Sequence, residues 1–212
     1  MMAPQTLILA TRNQGKVKEL RDPLARFGFD VKSLPEDFPE VAETGSTFEE
    51  NALIKAHAVA DALDVPAVAD DSGIEVDALG GAPGVYSARY SRDWPEVAGE
   101  STDARNNRKL LTELEGVPAE RRTARFRCCM AMVYPSSWKD APADIVVSGA
   151  WEGSIVDKPS GSNGFGYDPL FLDPESGRTG AELSREEKMA RSHRGKALAK
   201  LLEVLDGRAG ER

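Results

Sequence analysis

Asp70 and Asp71 stand side by side, after the apolar run Ala67-Val68-Ala69 and before Ser72-Gly73. Adjacent carboxylates at the end of a buried strand are costly unless solvated, hydrogen-bonded or bound to a cation. Carboxylates plus water are the ligand set that Mg²⁺ favours, with substrate phosphates completing its octahedron. Glu43, in Glu43-Thr44-Gly45, offers a further acid from a loop. Taken alone, the acid pair fits an Asx-type turn before Gly73 as well as a metal site, and Glu43 fits a solvated surface residue.

Three more segments carry groups suited to a phosphorylated ligand. Thr11-Arg12-Asn13-Gln14-Gly15-Lys16 is a polar turn leading from a strand into a helix. A helix start exposes backbone N–H groups and the positive end of the dipole, so it attracts anions. Thr11 and Asn13 add side-chain donors and Lys16 a full charge, although an ordinary capped turn has the same composition and this is not a P-loop pattern. In Ser162-Asn-Gly-Phe-Gly-Tyr-Asp168-Pro169, the glycines around Phe165 let the backbone approach a flat ligand, and the ring offers a stacking face. Asp168 can accept hydrogen bonds from ring N–H groups, although an aromatic anchoring a turn is the plainer alternative. Ser192 is placed to cap the last helix, which puts His193 and Arg194 in its first turn. Cations are slightly unfavourable there, which points to a ligand with acceptor atoms or to a nearby carboxylate.

The elements that must position these groups alternate between strand and helix. Thr6–Ala10 reads as a buried strand, and Val17, Leu20, Leu24 and Phe27 form a helical stripe in which Pro23 predicts a kink or early break. Val31–Leu34 is a short strand. Thr47-Phe-Glu-Glu50 has the capping-box pattern, and the apolar spacing continues it as an amphipathic helix to Leu63. Ala67–Ala69 reads as a strand ending at the acid pair, with Ile74 and Val76 in a separate strand beyond it. A polar surface loop over 91–101 precedes a helix carrying Leu110, Leu111 and Leu114. Arg125–Tyr134 and Asp144–Val156 are the longest strand candidates and are able to pair as a hairpin; the C-terminus is helical. The interleaving predicts an α/β fold with a mixed sheet.

Composition narrows the function classes. The chain has 212 residues, 41% hydrophobic and 29% charged, as expected of one globular domain or one drawn out into two lobes. Its 27 basic and 35 acidic residues give a net charge of −8, which argues against a nucleic-acid polymer as partner but not against a small phosphorylated ligand with a divalent cation. No apolar run approaches bilayer length and the N-terminal stretch does not read as a signal peptide, so no membrane association and a cytoplasmic setting are expected. The two cysteines, Cys128 and Cys129, are adjacent and read as small buried strand residues. With only His57 and His193 present, and no G-x-S-x-G, H-E-x-x-H or C-x-x-C pattern, histidine triads and zinc chemistry find little support.

Together the segments LATRNQGKVKEL, TGSTFEENALIKA, ADDSGIEVDALGGAPGVYSARYS, GFGYDPLF and ELSREEKMARSHRGKAL resemble, in order, the non-canonical purine nucleoside triphosphate pyrophosphatases (the inosine/xanthosine triphosphate pyrophosphatase family) from Leu7 to about Leu205. The resemblance implies Mg²⁺-dependent hydrolysis of ITP, dITP or XTP to the monophosphate and pyrophosphate. It implies an elongated mixed β-sheet flanked by helices, residues 1–212 forming a single two-lobed domain with an interlobe nucleotide cleft, and a homodimer. By position, Thr11, Arg12, Asn13, Gln14, Gly15 and Lys16 match the triphosphate-holding turn, with Lys55 nearby. Glu43, Asp70 and Asp71 match the metal-site acids, Asp71 also being the candidate for activating water. Ser72, Phe165, Gly166, Tyr167, Asp168, Lys188, His193 and Arg194 match the substrate and nucleoside side. Donors at Arg194 and near His193 suit the 6-oxygen of hypoxanthine or xanthine and would meet a donor on adenine. Arg12, the 92–102 loop and Pro23 are the points where the chain departs from the family pattern. The competing readings are a related pyrophosphatase for pyrimidine or modified nucleotides, a non-enzymatic nucleotide sensor and a single-stranded RNA-binding domain. The Ser-His-Arg and Phe-Gly-Tyr-Asp segments disfavour the first, the acid set the second and the charge the third.

Overall fold

The computed structural model describes residues 5–210. In chain order the elements are β1 (Gln5–Leu9), α1 (Gln14–Ala25), β2 (Phe29–Ser33), α2 (Phe48–Leu63), β3 (Ala67–Val76), α3 (Thr102–Glu113), β4 (Thr123–Val133), β5 (Ile145–Ile155), β6 (Phe171–Asp173), β7 (Arg178–Thr179), α4 (Arg185–Arg191) and α5 (His193–Gly210). Seven strands form one sheet in the order β2-β1-β3-β4-β5-β6-β7. β1 runs parallel to both β2 and β3, whereas β6 is antiparallel to β5 and β7, so the sheet is mixed and the fold α/β, as expected.

The first helix ends at Ala25, two residues past Pro23 and short of Phe27, the last residue of its apolar stripe. Leu20 and Leu24 bury against the core on either side of the proline. One expectation about local structure is corrected. Ala67–Val76 is one uninterrupted strand, so the Asp-Asp-Ser-Gly segment lies inside it and not at a turn. β3 lies between β1 and β4 in the sheet, and its register with β1 covers Ala67 and Val68, ahead of the acid pair.

The chain divides into two compact units. The first comprises the described residues up to Asp71 together with Cys128–Gly149 and the chain from Lys196. Beneath α2 the packing is largely of small side chains: Ala52, Ala56 and Ala60 on one face of the helix pack with Ala67, Ala69, Cys129 and Ala131 from the strands. Small residues at helical and strand spacing allow backbones to approach closely, which shortens the reach required of polar side chains beside them. Thr47 starts α2 with a full capping box: its hydroxyl accepts the Glu50 N–H, and Glu50 Oε2 accepts the Thr47 and Ser46 N–H groups. Both cysteines are buried, as their sequence context suggests.

The second unit, Ser72–Arg127 with Ala150–Gly195, has an aromatic core. Phe126, Trp151 and Phe171 cluster with Ile74, Leu110, Leu114 and Leu170, with Phe126 and Phe171 centroids 4.6 Å apart. Before α3, the polar 91–101 segment is a largely exposed loop, as expected, anchored at its start by Ser91, which is fully buried and whose N–H and hydroxyl both donate to Asn106 Oδ1. The Asn106 amide in turn donates to the carbonyls of Ser87 and Ala88.

Candidate functional site

In the first unit, strand geometry sorts the acids. Successive side chains on β3 project to opposite faces, so Asp70 and Asp71 part company although they are neighbours in sequence. Asp70 Oδ2 lies 3.0 Å from Lys16 Nζ of α1, with the Cys128 thiol beside it at 3.9 Å. Asp71 faces α2 instead. Its Oδ1 accepts from Lys55 Nζ at 2.9 Å and its Oδ2 from Asn51 Nδ2 at 3.2 Å. Lys55 Nζ also reaches Glu43 Oε1 at 2.7 Å, so the loop acid and the strand acid converge on one ammonium. Among the described residues no group of three or more His, Cys, Asp and Glu is arranged to hold a metal. Glu43 and Asp71 instead form a pair, with Asp70 set apart by the strand alternation.

The electrostatics of this cluster are strongly coupled. Burial pushes the Asp71 carboxyl above the usual aspartate range; Lys55 pulls it back and the Glu43 charge pushes it further up. Burial lowers the Lys55 ammonium, but Asp71, Asp70 and Glu43 outweigh that effect and leave it raised. Lys55 is therefore firmly charged, and Asp71 is a carboxylate of more than ordinary basicity.

The turn before α1 is organised by its own cap. Asn13 Oδ1 accepts the N–H groups of Gly15 and Lys16, and Thr11 Oγ1 accepts the Asn13 N–H. Two of the first-turn N–H groups offered by sequence to an anion are thus engaged by Asn13, which shifts the weight of any phosphate contact to Lys16 and the Asn13 amide nitrogen. Gln14 is the exposed first residue of α1. The Arg12 guanidinium bonds to the carbonyls of Glu36 and Phe38, tying the turn to that segment.

In the second unit, the glycine-rich segment folds around Asp168. Only 2% exposed, this carboxylate accepts from Lys188 Nζ and from the Phe165 N–H at 2.8 Å. Gly164 has φ +75°, and a Cβ there would lie 2.1 Å from Asp168 Oδ2, so both conformation and space require glycine. Burial raises the Asp168 carboxyl while Lys188, the Phe165 N–H and Arg194 pull it down. The Phe165 ring has the Lys188 ammonium 5.0 Å and the Arg194 guanidinium 5.5 Å from its centroid. Arg194, 2% exposed, donates from Nη2 to Ser72 Oγ at 3.1 Å. His193 stacks on Phe126 at 4.8 Å with a 12° interplanar angle. Ser192 caps the helix as expected, accepting the Gly195 N–H at 3.1 Å.

Not every residue of this segment is brought to the grouping in the way the sequence suggests. Tyr167 points into the core, its hydroxyl donating to the Ser87 carbonyl at 2.7 Å. Gly166 is held from α3 at both backbone groups: its N–H donates to Asp103 Oδ2 at 2.8 Å and its carbonyl accepts from Asn107 Nδ2 at 3.0 Å. Asp103 and Asn107 escape a motif-based reading, although their i,i+4 spacing beside the apolar stripe was available as a signal. Asn51 was missed too; it stands four residues before Lys55 on the same helix face. A second capping box, Ser184 with Glu187, starts the helix that carries Lys188.

The chain is similar to known proteins over nearly its whole length. The dITP/XTP pyrophosphatase of Nitratidesulfovibrio vulgaris is 61% identical over 206 residues, covering 96% of this chain and 97% of that protein. Its counterpart in Photobacterium profundum is 51% identical, covering 94% and 97%. The structure of the Staphylococcus aureus Ham1 protein superposes with a TM-score of 0.81 at 41% identity, covering 96% of this chain and all of that one. A nucleoside-triphosphatase / dITP/XTP pyrophosphatase from Mycobacterium abscessus gives 0.71 at 45% identity, covering 93% and 98%. The Ham1 family model matches residues 7–204, nearly everything from β1 to the last helix, and the chain belongs to the Ham1 family.

Proposed function

We propose that this protein hydrolyses non-canonical purine nucleoside triphosphates, dITP and XTP together with ITP, to the monophosphate and pyrophosphate. The observation that carries the reading is the convergence of Glu43 and Asp71 on the single ammonium of Lys55, beside the Lys16–Asp70 pair. A hydrolase acting on a phosphate chain needs positive charge for the phosphates and a carboxylate to accept a proton from water. Both are present within one unit, and relatives sharing half or more of the sequence carry the name dITP/XTP pyrophosphatase.

In this reading Lys16 and Lys55 bind phosphate oxygens, Asn13 and Thr11 shape the turn that receives them, and Asp71 accepts the proton of the attacking water. Its buried setting favours that role, because a base works best when its affinity for protons lies above that of an exposed carboxylate. Mg²⁺ is part of the proposal. The fit is tested by Lys55 itself: one cationic atom sits within 2.9 Å of a Glu43 oxygen and an Asp71 oxygen, so the two carboxylates are spaced for a shared cation, and oxygen donors suit a hard ion. When bound, the ion neutralises phosphate charge and makes a nearby water more acidic.

The second unit receives the base. Phe165 supplies the stacking face, and Lys188 and Arg194 supply donors for ring oxygens. An adenine amino group would confront those donors with another donor, and buried donors left unpaired reject such analogues. A homodimer completes the proposal, read by the mass in light scattering. Among the described residues no helix is long and apolar enough to cross a membrane. The test of function is pyrophosphate release from ITP, dITP, XTP, ATP and GTP with and without Mg²⁺. Strong Mg²⁺-dependent release from the first three supports the proposal; equal rates on all five refute the substrate class.

A further inference from the structure

Asn51, within the TGSTFEENALIKA segment, is fully buried at the start of α2, and none of the phosphate, metal or base roles implied by the resemblance falls on it. Its amide touches two things that matter. Oδ1 accepts the Gly45 N–H at 2.8 Å, and Nδ2 donates to Asp71 Oδ2 at 3.2 Å. The orientation of the amide follows from chemistry: a backbone N–H can only donate, so the atom facing Gly45 is the oxygen, and the nitrogen must face Asp71.

We infer that Asn51 is a positioning residue that aims the Asp71 carboxylate and fixes the Glu43 loop to it. This rests on the reading of Asp71 given under Proposed function.

Asn51 and Lys55 lie at i and i+4 on α2, so they face Asp71 together and take one oxygen each, Oδ2 and Oδ1. With both oxygens held, the carboxylate cannot swing about its own axis without breaking a buried hydrogen bond. On the loop side the contact is close. A Cβ on Gly45 would lie 2.6 Å from Glu50 Cβ and 2.8 Å from Asn51 Oδ1, so only glycine lets the backbone reach the amide. The loop is pinned a second time where Glu50 Oε2 accepts the Ser46 and Thr47 N–H groups. Glu43, two residues before Gly45, is thus carried on a segment whose distance from β3 is set by one amide.

The role separates from simple structural support in kinetics. Asn51→Asp keeps size and the Gly45 bond but replaces the donor facing Asp71 with an acceptor. The expected result is a 10- to 100-fold fall in kcat on ITP with KM changed less than threefold, in a variant whose circular dichroism matches the parent. Gly45→Ala, which disturbs the same link from the loop, should also lower kcat more than it raises KM. Asp71→Asn is run alongside. If Asp71→Asn retains parental turnover, the assignment of Asp71 fails. If Asp71→Asn is inactive while folded Asn51→Asp keeps parental kcat, the Asn51 inference fails. Should Asn51→Asp not fold, Asn51→Ser carries the same readout, and parental kcat in that variant overturns the inference equally.

Discussion

In the first unit, three carboxylates (Glu43, Asp70 and Asp71) are held by two lysines, Lys16 and Lys55. In the second, one carboxylate, Asp168, is faced by two cations, Lys188 and Arg194. The first group has negative charge in excess and suits a ligand that arrives with a cation. The second has positive charge and N–H donors in excess and suits an acceptor-rich ring. Core packing differs in the same sense. Alanines under α2 bring short acidic and amide side chains into contact, whereas the Phe126, Trp151 and Phe171 cluster provides a broad, stiff backing on which His193 stacks. In the proposed function, hydrolytic chemistry and ring recognition thus rest on separately built parts.

The comparison is broken most severely at Asp71. Asp71→Asn should lower pyrophosphate release by about 10²–10⁴-fold while equilibrium ITP binding persists, because a general base contributes about that factor. Next in size is Lys188→Met, which leaves Asp168 buried beside one cation fewer. Removing one partner of a buried ion pair costs about 3–5 kcal/mol, so the urea midpoint should drop sharply, and an unchanged midpoint would mean the pair is solvated. Phe165→Ala should weaken ITP binding by about 1–3 kcal/mol, the usual worth of an aromatic–base stack, with the maximal rate little altered. The smallest effect is expected at Thr47→Ala. Loss of the cap should cost about 1 kcal/mol in chemical denaturation, leaving nucleotide preference intact.

Much of this architecture can be read from residue order alone, for identifiable reasons. The Thr47–Glu50 capping box and the β4 and β5 strands are local patterns, and local patterns survive folding. The Asp-Asp-Ser-Gly segment misleads because its composition is that of a turn, while it lies extended within one strand of the sheet. That one difference decides which acids meet, since alternation in a strand separates Asp70 from Asp71. Tyr167 misleads for a related reason: its neighbours Phe165 and Asp168 join the ligand-type grouping, but a core contact to Ser87 claims its hydroxyl. The roles of Asn51, Asp103 and Asn107 are hard to read in sequence, whatever their helical spacing, because their partners are 20, 63 and 59 residues away. Polar residues on an amphipathic helix announce exposure, and only tertiary structure reveals that these three are anchors.

The division of labour between the two parts is tested most directly by the ratio of kcat/KM for ITP over ATP. It is to be measured in the parent, in Lys16→Met from the first part and in Arg194→Met from the second. The account predicts that Lys16→Met lowers both values together and leaves the ratio unchanged, whereas Arg194→Met collapses the ratio toward one. A parental ratio in folded Arg194→Met, or a collapsed ratio in Lys16→Met, would contradict it.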